Sequence, residues 1–248
     1  LSRAFGLIER FSEDIDLLAV FPDETSQNAR HKVLKQVDSD VTAHIGIVGT
    51  LVPGSSDTGV KRYTTYAHPA AHADGDLSDG ILLELGSRGG THPAMEVSIR
   101  SMLADVATEQ LGLTADEWDE FAPFAAHVLA PERTLLEKLS ALHTAATTSD
   151  TRLAGMGRHL YDVYQLLGDD RVRQTLRSLG PLGIAELAAD VHTHSADAGF
   201  TSVERPDEGF ASSEAFAPSN AAVAAAYARM GVLVYGRVPT LGDVLARI

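Results

Sequence analysis

The sequence predicts an α+β fold in which a small mixed sheet comes first and helices follow. Runs rich in apolar, aromatic or β-branched residues, which are typical of strands, lie at 15–20, 61–67 and 81–85. After about residue 110 the apolar residues instead recur at helical spacing. We therefore expect two domains, residues 1–110 with the sheet and residues 111–248 mainly helical.

The remaining elements follow from local signals. In the first half we expect a helix over 2–9, a helix over 26–38, a strand within 41–52 and a polar turn at 70–80. Thr114 and Glu117 form a capping-box pattern that predicts a helix start, and Pro131 is suited to the first turn of another helix. Further helices are predicted over 152–167, 169–178, 181–194 and 218–231, with a loop over 199–217.

Composition limits the classes of function. The 248 residues include no cysteine, which excludes disulfides, Cys-based zinc sites and a cysteine nucleophile. No run approaches the roughly 18 apolar residues of a membrane span, so no span is expected. The lack of cysteine fits a reducing compartment, and we expect a cytoplasmic protein. The formal net charge of -14 argues against broad electrostatic binding of nucleic acid, but it suits a site that collects divalent metal ions or a basic partner.

Paired carboxylates open the first predicted strand. Asp14 and Asp16 are two residues apart, so a strand projects both from one face while Ile15 faces the core. Two adjacent carboxylates favour a cation between them, and Mg²⁺ prefers such hard oxygen ligands. The alternative is a solvated strand end. Glu84, inside an apolar strand, is a candidate third carboxylate, and its alternative is an edge-strand residue that faces water.

Three residues of the helical part are further candidates. Lys138 can hold a triphosphate as a compact charge, or it can be a solvated lysine paired with a nearby Glu. Arg158 and Asp162 are four residues apart on one helix face. They can form a surface ion pair, orient Lys138 or line a nucleotide pocket.

Four segments occur in a recognisable order: Arg10-Phe-Ser-Glu-Asp-Ile-Asp16, Glu84, Lys138 with Ala141, and Arg158-His-Leu-Tyr-Asp162. They resemble the motifs of the AbiEii/AbiGii family of nucleotidyltransferase toxins, which includes the MenT toxins. The most specific is the first, which is similar to the family's Arg-x-Ser-x-Asp-(Ile/Leu)-Asp motif.

The resemblance implies a polymerase-β-like nucleotidyltransferase core followed by a helical domain that completes the active site. It implies transfer of NMP from an NTP with Mg²⁺, with tRNA 3′ ends as acceptors in some members. It also implies a role as the toxin of a toxin–antitoxin or phage-defence pair, with a cognate antitoxin protein as partner. In this reading Asp14, Asp16 and Glu84 bind the metal, Lys138 and Asp162 join the aspartates as catalytic residues, and Ser12 and Arg158 bind substrate. Lys61 and Arg62, with Tyr63 and Tyr66, form a candidate acceptor-side patch.

The family pattern places Gly-Gly-(Thr/Ser), which grips phosphates, just before the first helix, and this sequence begins at Leu1. Either the natural protein is longer or the chain lacks that segment. The second case favours a module that binds nucleotide or a partner protein without turnover, and a purely structural helical scaffold is a third class. Ser12 adds a separate hypothesis: its phosphorylation would block the triphosphate and switch the enzyme off, whereas the alternative is a Ser that only turns the chain.

Overall fold

The computed structural model describes residues 1–12, 14–68, 80–114, 116–148 and 151–248. It has a mixed sheet, a two-stranded antiparallel sheet and several helices, which confirms the predicted α+β class. The predicted turn at 70–80 falls almost wholly outside the described residues. No helix in these ranges is long and apolar enough to cross a membrane.

The elements are numbered in chain order. The strands are β1 (Asp14–Leu18), β2 (Thr50–Leu51), β3 (Lys61–Ala67), β4 (Gly80–Gly86), β5 (Ala94–Ile99) and β6 (Phe124–Leu129). The helices are α1 (Ser2–Phe5), α2 (Gln27–Ile45), α3 (Met102–Glu109), α4 (Pro131–Thr147), α5 (Gly157–Gly168), α6 (Asp170–Asp197), α7 (Ala221–Ala228) and α8 (Leu241–Arg247). The chain forms two compact units: unit 1 contains residues 1–10, 92–189 and 203–248, and unit 2 contains residues 11–91 and 190–202.

Unit 2 is built on a four-stranded sheet in the order β1-β4-β3-β2. β1 and β4 are parallel, whereas the other neighbours are antiparallel. Helix α2 packs on one face of this sheet, where Leu34 meets Tyr66, Leu83 and Leu85 in a buried cluster. The opposite face is therefore the one on which polar side chains can gather.

The predicted strand within 41–52 is wrong for its first half. Helix α2 continues through this segment to Ile45 and ends at Gly46, whose φ of 69° is the left-handed conformation that terminates many helices. Val41 and Ile47 pack against the buried cluster of unit 2. Burial on the sheet therefore overrides the β preference of the branched residues, and only Thr50–Leu51 remains as a strand.

Unit 1 contains the antiparallel β5–β6 pair and most of the helices. The predicted helix start at Thr114 is wrong: the Glu117 carboxylate does accept from the Thr114 N–H at 3.0 Å, but only a short 3₁₀ turn follows before β6. β6 forms instead because it pairs with β5, about 30 residues earlier, which no local signal indicates.

The other helices agree better with the sequence. α4 and α5 confirm two predicted helices, and α6 is interrupted at Gly180 (φ 65°, ψ 178°), between the two helices that we expected there. The first helix ends early at Gly6, which has a φ of 64°. α3 and α8 were not predicted.

Candidate functional site

The first group of predicted site residues lies on one face of the unit 2 sheet. In the parallel register Asp16 is opposite Glu84, and Asp14, two residues earlier on β1, projects from the same face. Asp16 is exposed, while Asp14 and Glu84 are partly buried. We call these three residues the carboxylate face. The prediction of carboxylates on two adjacent strands is confirmed, and Ile15 lies on the helix-covered side but remains half exposed at the sheet edge.

Tyr63 extends this row across a third strand. It is opposite Glu84 in the antiparallel β3–β4 register and therefore shares the carboxylate face. Burial, together with smaller contributions from the nearby Glu84 and Asp16 carboxylates, raises the pKa of Tyr63 to about 12. The phenol thus stays protonated at neutral pH. The Lys61 Nζ lies 5.8 Å from the centre of the Tyr63 ring, which places a cation on the same side.

Ser12 lies just before the carboxylate face. Its hydroxyl donates a hydrogen bond to a carboxylate oxygen of Asp14 and lies 3.3 Å from the Asp14 carbonyl oxygen. Ser12 is exposed, so it is accessible as well as coupled to the first carboxylate. The next residue, Glu13, is outside the described residues.

The donor chemistry of the carboxylate face fits Mg²⁺. All three side chains offer the hard oxygen atoms that this ion prefers, and adjacent strands bring them to one surface. Within the described ranges, no group of three or more His, Asp or Glu side chains is already arranged to hold a metal ion. The face therefore supplies the right ligand type, and the Mg²⁺ assignment is part of the proposal below.

The second group of predicted residues forms a buried cluster in unit 1. Arg10 donates two hydrogen bonds to Asp162, from Nε to Oδ1 and from Nη2 to Oδ2, each 2.7 Å long. The Lys138 Nζ lies 2.9 Å from Asp162 Oδ2 and 3.3 Å from the Nδ1 atom of His159. We call these four residues the ion cluster. The Lys138 side chain is 14% exposed and pairs with an Asp, so it is not the solvated, Glu-paired lysine of the alternative reading.

Helix packing brings the ion cluster together. Lys138 lies on α4, and His159 and Asp162, three residues apart, share one face of α5. Asp162 is fully buried, which by itself raises the pKa of its carboxyl. The hydrogen bonds and charges of Arg10 and Lys138 outweigh burial and bring that pKa below its ordinary value. Asp162 is therefore a carboxylate at neutral pH.

His159 has a strongly perturbed pKa. Burial and then the charge of Lys138, with smaller contributions from Arg158 and Arg10, lower this pKa to about 3, although the Asp162 carboxylate opposes the shift. The ring is thus neutral at physiological pH. Arg158, one turn before Asp162 on α5, is partly buried and contributes to the positive surroundings of this ring.

The residues of the predicted acceptor-side patch lie on β3, and the strand places them on two different faces of the sheet. Lys61 and Arg62 are consecutive on β3 and project from opposite faces. Arg62 pairs with Asp38 on α2 at 2.6 Å, and Tyr66 is buried with its hydroxyl on Asp38. Arg62 and Tyr66 therefore tie the helix to the sheet, and only Lys61 and Tyr63 share the face of the carboxylates.

Sequence reasoning missed two members of the ion cluster. Arg10 could have been identified from the sequence, because it is the first residue of the Arg-x-Ser-x-Asp-x-Asp motif. His159 carries no such signal, because a histidine on a helix is common and only the packing of α5 on α4 places it beside Lys138.

The family model of the nucleotidyl transferase AbiEii toxin, type IV toxin–antitoxin system, matches residues 1–234. The chain therefore belongs to the AbiEii nucleotidyl transferase toxin family, which confirms the predicted family. No curated protein and no solved structure matches the chain.

Proposed function

We propose that this chain is a Mg²⁺-dependent nucleotidyltransferase that moves NMP from an NTP to RNA, with tRNA 3′ ends as the acceptors. Family membership supports the general class of activity and a role as the toxin of a toxin–antitoxin pair. The observation that carries the proposal is the register of the carboxylate face, in which Asp16 is opposite Glu84 and Asp14 shares their side of the sheet.

The proposed reaction forms one bond and breaks one. The acceptor hydroxyl oxygen bonds to the α-phosphorus, the bond from that phosphorus to the pyrophosphate oxygen breaks, and the hydroxyl proton leaves to a base. When bound, Mg²⁺ supplies Lewis-acid stabilisation of the charge on the phosphate oxygens. Asp14, Asp16 and Glu84 hold the cation through their oxygen atoms. Their exposure, partial for Asp14 and Glu84, leaves room for substrate oxygens beside them.

The ion cluster has a separate part in the proposal. Lys138 donates N–H groups to phosphate oxygens, and Asp162 holds the ammonium in its charged form. Arg158 adds a second cation on the same helix as Asp162. Lys61 and the half-buried Tyr63 ring are assigned to the acceptor, because a cation beside an aromatic face suits a nucleotide end.

The test is nucleotide transfer with labelled substrates. The full chain is incubated with Mg²⁺, total tRNA and each of the four NTPs labelled at the α-phosphate. The wild type should label RNA and Asp14→Ala should not, whereas Asp40→Asn, an exposed change on α2, should leave labelling unchanged. Nucleotide binding without any transfer by the wild type would contradict the proposal and identify a binding module instead.

The toxin role is tested in cells. Expression of the wild-type chain without its antitoxin should arrest growth, and expression of Asp14→Ala at the same level should not. Equal arrest by both would contradict a toxicity that depends on transfer.

A further inference from the structure

The ammonium of Lys138 is held from two directions. It contacts Asp162 Oδ2 at 2.9 Å and His159 Nδ1 at 3.3 Å. A lysine ammonium has three N–H donors and no acceptor, so these two contacts occupy two donors. In the described part of the chain the third N–H has no protein acceptor within hydrogen-bond distance. The side chain keeps 14% exposure, so a ligand can reach it.

The chemistry of this contact fixes the state of His159. Because Lys138 can only donate, the Nδ1 atom must be the acceptor, and the proton of the neutral ring is then on Nε2. The pKa of about 3 keeps this neutral form throughout the physiological range. The contact between Lys138 and His159 is therefore not a repulsion between two cations but a hydrogen bond to a neutral acceptor.

A neutral acceptor leaves the positive charge of Lys138 in place, whereas a second carboxylate would cancel it. Asp162 is already shared by Lys138 and by the two hydrogen bonds of Arg10. Arg158 adds another positive charge near His159. The four residues of the ion cluster themselves comprise two cations, Arg10 and Lys138, and one anion, Asp162, although the whole chain has a net charge of -14. His159 orients the ammonium without cancelling its charge, which suits a polyanionic ligand such as an oligophosphate.

We propose that His159 is a positioning residue for the phosphate contact of Lys138: its Nδ1 atom and Asp162 fix two N–H groups, so that the third points to an oligophosphate. A single acceptor leaves the ammonium free to rotate about its hydrogen bond, whereas two acceptors define the direction of the remaining donor. This inference rests on the proposed function, in which Lys138 contacts the triphosphate.

Two substitutions of His159 separate orientation from packing. His159→Asn keeps an acceptor oxygen near the position of Nδ1, whereas His159→Leu fills similar space without an acceptor. The direct probe is inorganic tripolyphosphate, bound to the full chain and measured by calorimetry at low salt. We expect His159→Leu to weaken binding by about tenfold and His159→Asn by less than about threefold, while thermal unfolding shows both variants folded.

A double-mutant cycle gives the decisive reading. In a Lys138→Met background, His159→Leu should have almost no additional effect on tripolyphosphate binding, because the group that it positions is gone. His194→Leu, at an exposed histidine paired with Asp190, is the matched control and should bind like the wild type. An equal loss from His159→Leu with and without Lys138, or no rescue by Asn, would overturn the inference.

Transfer assays run in parallel keep this inference apart from the proposed function. If the wild type transfers nucleotide and His159→Leu leaves the KM for NTP unchanged, the inference fails and the function stands. If the wild type transfers nothing but tripolyphosphate binding follows the predicted pattern, the function fails and the positioning role stands.

Discussion

The two groups of acidic residues differ most in what surrounds them. Asp162 in unit 1 is fully buried and is held by Arg10 and Lys138 at 2.7–2.9 Å. Asp16 in unit 2 is exposed on a sheet face and has a second carboxylate, Glu84, on the neighbouring strand. The first arrangement surrounds a buried carboxylate with cations, whereas the second places acidic side chains on adjacent strands, one of them exposed to solvent.

This difference indicates which group stabilises the fold and which is available for chemistry. Removing one member of a buried ion cluster leaves the others as uncompensated charges, which is strongly destabilising. Changing an exposed side chain such as Asp16 usually alters the free energy of unfolding only slightly. Substitution of the buried Asp162 should therefore mainly lower stability, whereas substitution of the exposed Asp16 should mainly lower activity.

The largest expected effect on stability is that of Asp162→Ala. It leaves the Arg10 and Lys138 charges without their shared carboxylate, so we expect a loss of about 3–5 kcal/mol in the free energy of unfolding. Denaturant titration measures this loss. The matched change Asp16→Asn should alter the free energy of unfolding by no more than about 0.5 kcal/mol. Equal losses from the two variants would remove the distinction between the groups.

A smaller effect is expected from the modification of Ser12, measured on transfer activity. A phosphate there adds about two negative charges beside Asp14 and competes for the cation, so stoichiometric phosphorylation should lower transfer by about a hundredfold.

The control for this prediction is Ser12→Ala, which removes only the hydrogen bond to Asp14. It should lower transfer by about threefold to tenfold. Full activity in a stoichiometrically phosphorylated sample would contradict the predicted switch.

The smallest expected effect is a pH dependence of stability from His159. Its folded-state pKa is about 3, below the ordinary value of 6.5, so the unfolded chain gains a proton there and the folded chain does not. Stability is complete above pH 6.5 and is lost as the pH falls toward 3. Between pH 7 and pH 5 the wild type should lose about 1–2 kcal/mol more than His159→Asn.

This comparison isolates one residue in that pH window. Burial also lowers the pKa of His143, but His143 is present in both proteins and its contribution cancels. Asp162 has a pKa below its ordinary value of 3.8, so its contribution is lost only at lower pH. Identical losses in the wild type and in His159→Asn would show that His159 titrates normally.

The sequence could predict the carboxylate face because its signals are local. The two-residue spacing of Asp14 and Asp16 determines a shared face once the strand is assigned, and Glu84 is conspicuous in an apolar run. Lys138 and Asp162 were also identified, from motif order. His159 could not be, because its role depends on the packing of α5 on α4, which no periodicity encodes.

The same division applies to the fold. Helices α4 and α5 have regular apolar spacing and were predicted, while the β5–β6 sheet depends on pairing between segments about 30 residues apart. At the end of α2, packing against the sheet keeps Val41 helical despite its preference for strands. In β3 the side chains alternate between the two faces, so the consecutive residues Lys61 and Arg62 do not form one patch. Arg62 pairs with Asp38 on the helix-covered face, whereas Lys61 lies beside Tyr63 on the other.

The most direct test of the central claim is the Mg²⁺ dependence of label transfer in three proteins: the wild type, Asp16→Asn and Asp40→Asn. We expect wild type and Asp40→Asn to transfer the α-phosphate label to RNA with the same Mg²⁺ dependence. The transfer rate of Asp16→Asn should be lower by at least about a hundredfold at every Mg²⁺ concentration. Transfer by Asp16→Asn at the wild-type rate would contradict the assignment of the carboxylate face as the catalytic metal site.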